Sequence, residues 1–191
     1  MTNQILHNPV SFIKVVKGFP STDVSFIDMS KFYSTPGWHQ ILEKFRIDDP
    51  EAIFLGVESR GFIIASALAT IYGMGFGMIR KAGKLPNPSA QIAYSLEYGE
   101  GKLESPESMP KKAYIVDDVT ATGGTLMCAR QLCLQTGCEV LGLLSLVNIP
   151  RLNSKMFAHL PTQNIINANL SDSKDYTFEI NKTWGVYEFD A

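Results

Sequence analysis

The 191-residue chain is 45% hydrophobic and 19% charged, the make-up of a folded globule with a sizeable core rather than of a disordered chain. Its formal net charge of −2 excludes the strongly basic balance of a typical nucleic-acid binder. No apolar run reaches the roughly 18 residues of a membrane-spanning helix, and the start Met1-Thr2-Asn3-Gln4-Ile5-Leu6-His7 has no basic region followed by an apolar one, so a cytoplasmic protein with no membrane or nucleic-acid partner is expected.

In chain order, the first clearly periodic stretch is Trp38 to Phe45, where Trp38, Ile41, Leu42 and Phe45 fall on one helical face after Pro36. Ala52-Ile53-Phe54-Leu55-Gly56-Val57 predicts a buried strand, Phe62 to Tyr72 the helix that follows it, and Gly73 the stop of that helix. Phe76 to Ile79 predicts a short strand, and Ile92 to Tyr98 alternates as a more exposed one. Lys112 to Val116 predicts another buried strand. From Thr125 the residues Leu126, Ala129, Leu132 and Cys133 recur at helical spacing until Gly137, and Val140 to Val147 predicts a further buried strand.

This succession predicts the α/β class, with an open, mainly parallel twisted sheet flanked by helices and joined by right-handed crossovers. No linker rich in Gly, Ser or Pro divides it, so a single domain over 1–191 is expected. Cys128, Cys133 and Cys138 cannot all pair within one chain and match no common zinc spacing, which predicts buried, reduced thiols. His7, His39 and His159 stand apart from any nucleophile motif.

The chemistry gathers where buried strands end. After Val116 come Asp117, Asp118, Val119, Thr120, Ala121, Thr122, Gly123, Gly124 and Thr125, a pair of acids before a small-residue loop that opens a helix. The carboxyl edge of an α/β sheet is where ligands sit, and a helix start there offers unpaired N–H groups and a positive dipole end to an anion. Thr122 and Thr125 add hydroxyls, and Gly123 and Gly124 permit close backbone approach. Asp117 and Asp118, placed just before the loop, suit sugar hydroxyls rather than phosphate oxygens. An acidic turn before a capped helix accounts for Asp-Asp alone; the whole stretch favours a site for a phosphorylated sugar.

A second junction, Gly56-Val57-Glu58-Ser59-Arg60-Gly61-Phe62, repeats the pattern with a forked guanidinium suited to phosphate oxygens, although an ordinary helix cap also fits it. A third stretch, Arg80-Lys81-Ala82-Gly83-Lys84-Leu85-Pro86-Asn87-Pro88, leaves a strand and runs into a long connection. It reads either as a solvated basic loop or as a lid able to close over a pyrophosphate. Glu97 follows it. In isolation Glu97 is an exposed strand residue; behind a lid it becomes a carboxylate placed to manage a proton.

Asp117 to Thr125 resembles the 5-phosphoribosyl 1-pyrophosphate (PRPP) site of the type I phosphoribosyltransferases. Together with Glu-Ser-Arg-Gly-Phe at 58–62, Arg-Lys-Ala-Gly-Lys-Leu-Pro at 80–86 and Tyr-Ser-Leu-Glu-Tyr-Gly at 94–99, it is similar over roughly residues 12 to 147 to the adenine phosphoribosyltransferases. The resemblance implies that Asp117, Asp118, Ala121, Thr122, Gly123, Gly124 and Thr125 bind the ribose 5-phosphate. It further implies that Glu58, Ser59 and Arg60 line a pyrophosphate loop in which relatives often have a cis peptide, that Arg80, Lys81 and Lys84 belong to a flexible hood over about 80–98, and that Glu97 is the catalytic carboxylate. Phe19-Pro20 and Phe26-x-Asp28 resemble the base-binding segment, about 12–35, which implies that Phe26 stacks on the purine while backbone groups of Ser25 and Ile27 read its edge.

The sequence departs from the family pattern at Gly18, Asp23, Ile27, Met29, Ser30 and Thr120. After Asn148 no clear match continues, and the aromatic end Trp184 to Phe189 suggests packing or a dimer contact. The resemblance implies Mg²⁺-dependent transfer of ribose 5-phosphate from PRPP to adenine, giving AMP and pyrophosphate in purine salvage. Mg²⁺ would be carried mainly by substrate oxygens with no protein residue named as its ligand, and a homodimer is implied. Transfer to another purine, hypoxanthine or guanine, and a non-catalytic PRPP-sensing protein remain alternatives.

Overall fold

The chain begins with a 3-10 turn over Pro9–Phe12 and two short strands, β1 (Lys14–Lys17) and β2 (Ser25–Asp28), followed by one helical turn, α1 (Ser30–Tyr33), and a 3-10 helix over Trp38–Lys44. There follow β3 (Ile53–Val57), α2 (Gly61–Tyr72), β4 (Gly75–Lys81), β5 (Ala90–Leu96), β6 (Gly99–Ser105), β7 (Lys112–Thr120), α3 (Gly124–Gln135), β8 (Glu139–Asn148), α4 (Pro150–Asn153), β9 (Thr162–Leu170) and β10 (Tyr176–Ile180). The structure is a computed structural model describing residues 8–22, 24–96, 99–153, 155–157 and 160–181, with side chains described outside 94–100.

The buried runs of the sequence form the middle of an eight-stranded sheet of order β10-β9-β8-β7-β3-β4-β6-β5. Neighbours from β4 through β3, β7 and β8 to β9 are parallel, while β10 on one edge and the β5–β6 hairpin on the other are antiparallel. Both faces of the centre are covered. Phe54, Tyr114, Val116 and Leu144 pack with Ile64 and Leu68 of α2, whereas Leu55, Val57, Ile115 and Leu143 pack with Leu126, Ala129 and Leu132 of α3. Two-sided burial explains why these strands read as continuous apolar runs rather than as alternations. Leu68 is fully enclosed, and its truncation to alanine would cost about 2–5 kcal/mol.

Several boundaries differ from the sequence reading. The Trp38 segment is a 3-10 helix, entered from Gly37 and burying only Ile41 and Leu42. Strand β7 runs on to Thr120 instead of stopping at Val116, because Asp117, Val119 and Thr120 pair with Ser145, Val147 and Asn148 of β8. The exposed strand after the basic stretch is one arm of a hairpin whose other arm, β6, was not expected. All three cysteines are buried and unbridged.

Gly56 of β3 pairs with Val116 of β7, so the carboxyl ends of these two strands lie side by side. Helices α2 and α3 start directly beyond them. The two junctions singled out in the sequence therefore share one edge of the sheet.

Candidate active site at the ends of strands β3 and β7

Between β7 and α3 the chain passes through Ala121 and Thr122 to Gly123, which has a left-handed backbone (φ 86°). Only glycine adopts this conformation without strain, and a Cβ there would run into the Phe157 ring and Met156. No side chain caps α3, so its first N–H groups remain available to an anion, reinforced by the dipole of a 12-residue helix. Ala121, Thr122, Gly124 and Thr125 are partly accessible. The loop is braced from the tail: Asn153 Nδ2 donates to the Ala121 carbonyl at 2.6 Å and to Asn148 Oδ1 at 2.7 Å.

Alternation along β7 sends the two acids to different surroundings. Asp118 is 1% exposed, and its Oδ2 receives Arg60 Nε at 2.9 Å and the Tyr33 hydroxyl at 3.1 Å. Asp117 is half-buried and accepts the Asp118 N–H at 2.8 Å. Burial, and then the negative neighbour, push the Asp117 carboxyl well above the usual carboxylate range. Burial also raises Asp118, against the opposing pull of Arg60 and Tyr33. Two adjacent carboxyls resist carrying a charge each, and polar hydroxyl partners would relieve that cost.

At the other junction the Glu58–Ser59 peptide is cis and Arg60 occupies the start of α2. Ser59 is exposed. The Arg60 guanidinium turns toward the acids and the amino-terminal strands: besides Asp118, its Nη1 donates to the Ile27 carbonyl at 2.9 Å and its Cζ lies 4.8 Å from the Phe26 ring centre. Gly61, the next residue, is pressed against β7, and a Cβ there would sit 2.5 Å from the Val116 carbonyl and 3.3 Å from Asp117 Cα. The two cradles are thus joined by an ion pair and by direct backbone contact.

The basic stretch is held at its root by two carboxylates. Glu58 Oε2 accepts Arg80 Nε at 3.0 Å and the Lys81 N–H at 2.8 Å. Burial opposes the Glu58 charge, but these donors outweigh it and hold the carboxyl below its ordinary range. Further along, fully buried Glu104 of β6 accepts the N–H groups of Gly83, Lys84 and Leu85 at 3.1, 2.7 and 2.7 Å and the Gln91 amide at 3.0 Å. The side chains of Lys81 and Lys84 stay exposed while their backbone is fixed. Glu97 lies outside the described residues, as do Asp23, His7, His159 and Trp184 to Phe189.

In the amino-terminal ladder, Phe26 is half-buried in β2, with Phe19 edge-on at 5.5 Å. The Gly18 N–H bonds to the Val24 carbonyl at 2.7 Å, which sets the alternation of the β1–β2 ladder. By that alternation Val16 and Phe26 form a hydrogen-bonded pair, and the backbone groups of Ser25 and Ile27 point away from β1. The Arg60 contact to the Ile27 carbonyl agrees with this. Tyr33, Glu104, Asn153 and Phe157 escaped sequence reasoning, since each reaches the loops of the site across 19 or more positions and none stands in a recognisable motif.

Two helix starts without side-chain caps, an acid pair and a basic stretch meet at one edge of the sheet, and residues 39–157 match the phosphoribosyl transferase domain family. The adenine phosphoribosyltransferase of Hydrogenovibrio crunogenus is 40% identical over 158 residues, covering 80% of this chain and 91% of that protein. Among solved structures, the adenine phosphoribosyltransferase of Rhodothermus marinus superposes with a TM-score of 0.74 at 31% identity, covering 84% of this chain and 97% of that one. The Saccharomyces cerevisiae enzyme, solved with an imino-altritol bisphosphate and adenine, does so with a TM-score of 0.72 at 28% identity, over 81% and 94% of the two chains. The chain belongs to the adenine phosphoribosyltransferase family.

Proposed function

We propose that this protein transfers the ribose 5-phosphate of PRPP to N9 of adenine, releasing AMP and pyrophosphate in purine salvage. The observation that carries the reading is the Arg60–Asp118 ion pair at 2.9 Å, which joins the start of α2 to the acid pair of β7 and so supports a substrate carrying sugar hydroxyls beside an anionic group. The Ala121–Thr125 loop would hold the 5-phosphate by backbone N–H groups, and Asp117 and Asp118 would accept the ribose hydroxyls. As the C1′–O bond to pyrophosphate stretches, positive charge grows on the sugar and negative charge on the leaving oxygens. Lys81 and Lys84 of the hood, with backbone donors at 59–61, would stabilise the departing group, and hood closure would exclude water.

Ser25 and Ile27 would read the purine edge by main-chain groups while Phe26 covers its face. Glu97 would receive or relay a proton on the purine as the N9–C1′ bond forms, a role resting on the resemblance. Mg²⁺ suits this site as a cargo of the substrate. The acids at the two junctions already face Arg60, Tyr33, Arg80 or one another, so PRPP oxygens would supply most of its ligands. When bound, the ion would neutralise part of the pyrophosphate charge. A homodimer in the cytoplasm completes the proposal; no helix among the described residues is long and apolar enough to cross a membrane.

The test is AMP formation from adenine, PRPP and Mg²⁺, with hypoxanthine and guanine in parallel. AMP as the main product supports the reading, IMP or GMP in its place moves the specificity to another purine, and no pyrophosphate release with any base overturns transfer. Glu97→Ala is expected to lower turnover while PRPP affinity holds; unchanged turnover removes Glu97 from the chemistry.

A further inference from the structure

Tyr33 closes α1, far in sequence from either cradle, yet its hydroxyl reaches the sheet edge and donates to Asp118 Oδ2 at 3.1 Å across 85 residues. The ring is fixed by edge-on contacts to Trp38 at 5.2 Å and Phe32 at 5.8 Å between centroids. Phe32 is fully buried, so the phenol is mounted on a rigid aromatic group, and little freedom is lost when its hydroxyl bonds. Burial and the Asp118 charge push the Tyr33 hydroxyl far up, which keeps it a donor throughout the physiological range.

Asp118 alone among the two acids receives side-chain donors from two other elements, Arg60 at the start of α2 and Tyr33 from α1, and both converge on the same oxygen. A carboxylate held at one oxygen by a guanidinium and a phenol has a fixed plane, and its other oxygen points in one direction. We propose that Tyr33 is a positioning residue for PRPP, orienting the Asp118 carboxylate toward the ribose hydroxyls without itself touching the substrate. The inference rests on the proposed role of Asp118 in ribose binding. It adds a residue outside the four motifs and ties the segment carrying the base-stacking Phe26 to the sugar site through α1.

Tyr33→Phe keeps the ring and removes only the donor. Steady-state constants for both substrates, with thermal unfolding of the two proteins, separate the possibilities. The expected result is a KM for PRPP about tenfold higher, equal to about 1.4 kcal/mol, with KM for adenine within about twofold and kcat reduced less than KM rises. An unchanged KM for PRPP overturns the proposal, and so does an equal rise in both KM values accompanied by a fall in Tm, the signature of a merely structural role. Should the wild-type protein form no nucleotide at all, the transfer reading fails instead. PRPP binding by calorimetry then decides on Tyr33 alone: weaker binding by the variant supports its positioning role, and equal binding overturns it.

Discussion

Strand β7 passes into α3 through Ala121, Thr122 and Gly123, none of them charged, whereas β3 passes into α2 through Glu58, Ser59 and Arg60, with two charged side chains of three. The first cradle works by backbone geometry: a left-handed glycine, uncapped helix N–H groups and an outside brace from Asn153. The second works by side chains that already have partners, Glu58 with Arg80 and Arg60 with Asp118. A ligand entering the first finds donors in place, while a ligand entering the second must join or displace existing ion pairs. Preorganised donors cost no rearrangement when charge develops. In the proposed function the Ala121–Thr125 loop would therefore be the fixed jaw, and the Arg60 side of the site the adjustable one.

The contrast can be broken first at its rigid end. Gly123→Ala places a side chain against Phe157 in a disfavoured backbone region; strain and overpacking of a few kcal/mol are expected to raise KM for PRPP by ~100-fold. A near-normal KM would mean that the loop is adjustable after all.

Next comes Asp117→Asn, expected to lower kcat/KM for PRPP by roughly 30-fold, the worth of one hydrogen bond to a charged group, while making the protein more stable. Because the folded state raises this carboxyl's pKa, native protein holds the proton more tightly than the unfolded chain. Wild-type stability therefore falls as pH rises through the interval between the unfolded value of about 3.9 and the raised one. The variant should gain roughly 1–2 kcal/mol above that interval and nothing below it, read by denaturant unfolding at neutral and acid pH.

Smaller effects sharpen the picture of the lid. Glu104→Gln removes half of the carboxylate that gathers the Gly83, Lys84 and Leu85 N–H groups. It should raise KM for PRPP by about fivefold, leave KM for adenine unchanged and speed hydrogen exchange at those three amides. Smallest of all is Thr120→Val. Among the described residues the Thr120 hydroxyl is buried without a hydrogen-bond partner, so an isosteric methyl is expected to stabilise the protein by about 1 kcal/mol with activity unchanged. A loss of activity there would show that the hydroxyl has a partner in the substrate.

The junctions at 58–61 and 117–125 were legible in the sequence because a continuous apolar run ending in Gly, Ser, Thr or Asp marks a buried strand meeting a helix at the sheet edge. Their adjacency followed from the α/β pattern and appears as the Gly56 to Val116 pairing. The end of β7 was misjudged because acids read as loop residues, whereas pairing with β8 carries the strand through them. Strand β6 and its buried Glu104 were hidden by a composition, Gly-Glu-Gly-Lys-Leu-Glu-Ser, that suits a solvated turn until the hairpin forms. Tyr33 and Asn153 gave no local signal, since what they do is fixed by partners 85 and 32 residues away. Glu97 was singled out by its place behind the basic stretch and by the family pattern, and it lies outside the described residues.

The contact between Gly61 and the Val116 carbonyl works like the pivot of a pair of callipers. With no side chain between them, the helix start and the neighbouring strand meet backbone to backbone, so the opening between the jaws is set by peptide geometry and not by any residue that drift on the surface could alter. A methyl group at position 61 would widen that opening at its hinge, and every molecule gripped at both ends would be held at the wrong length.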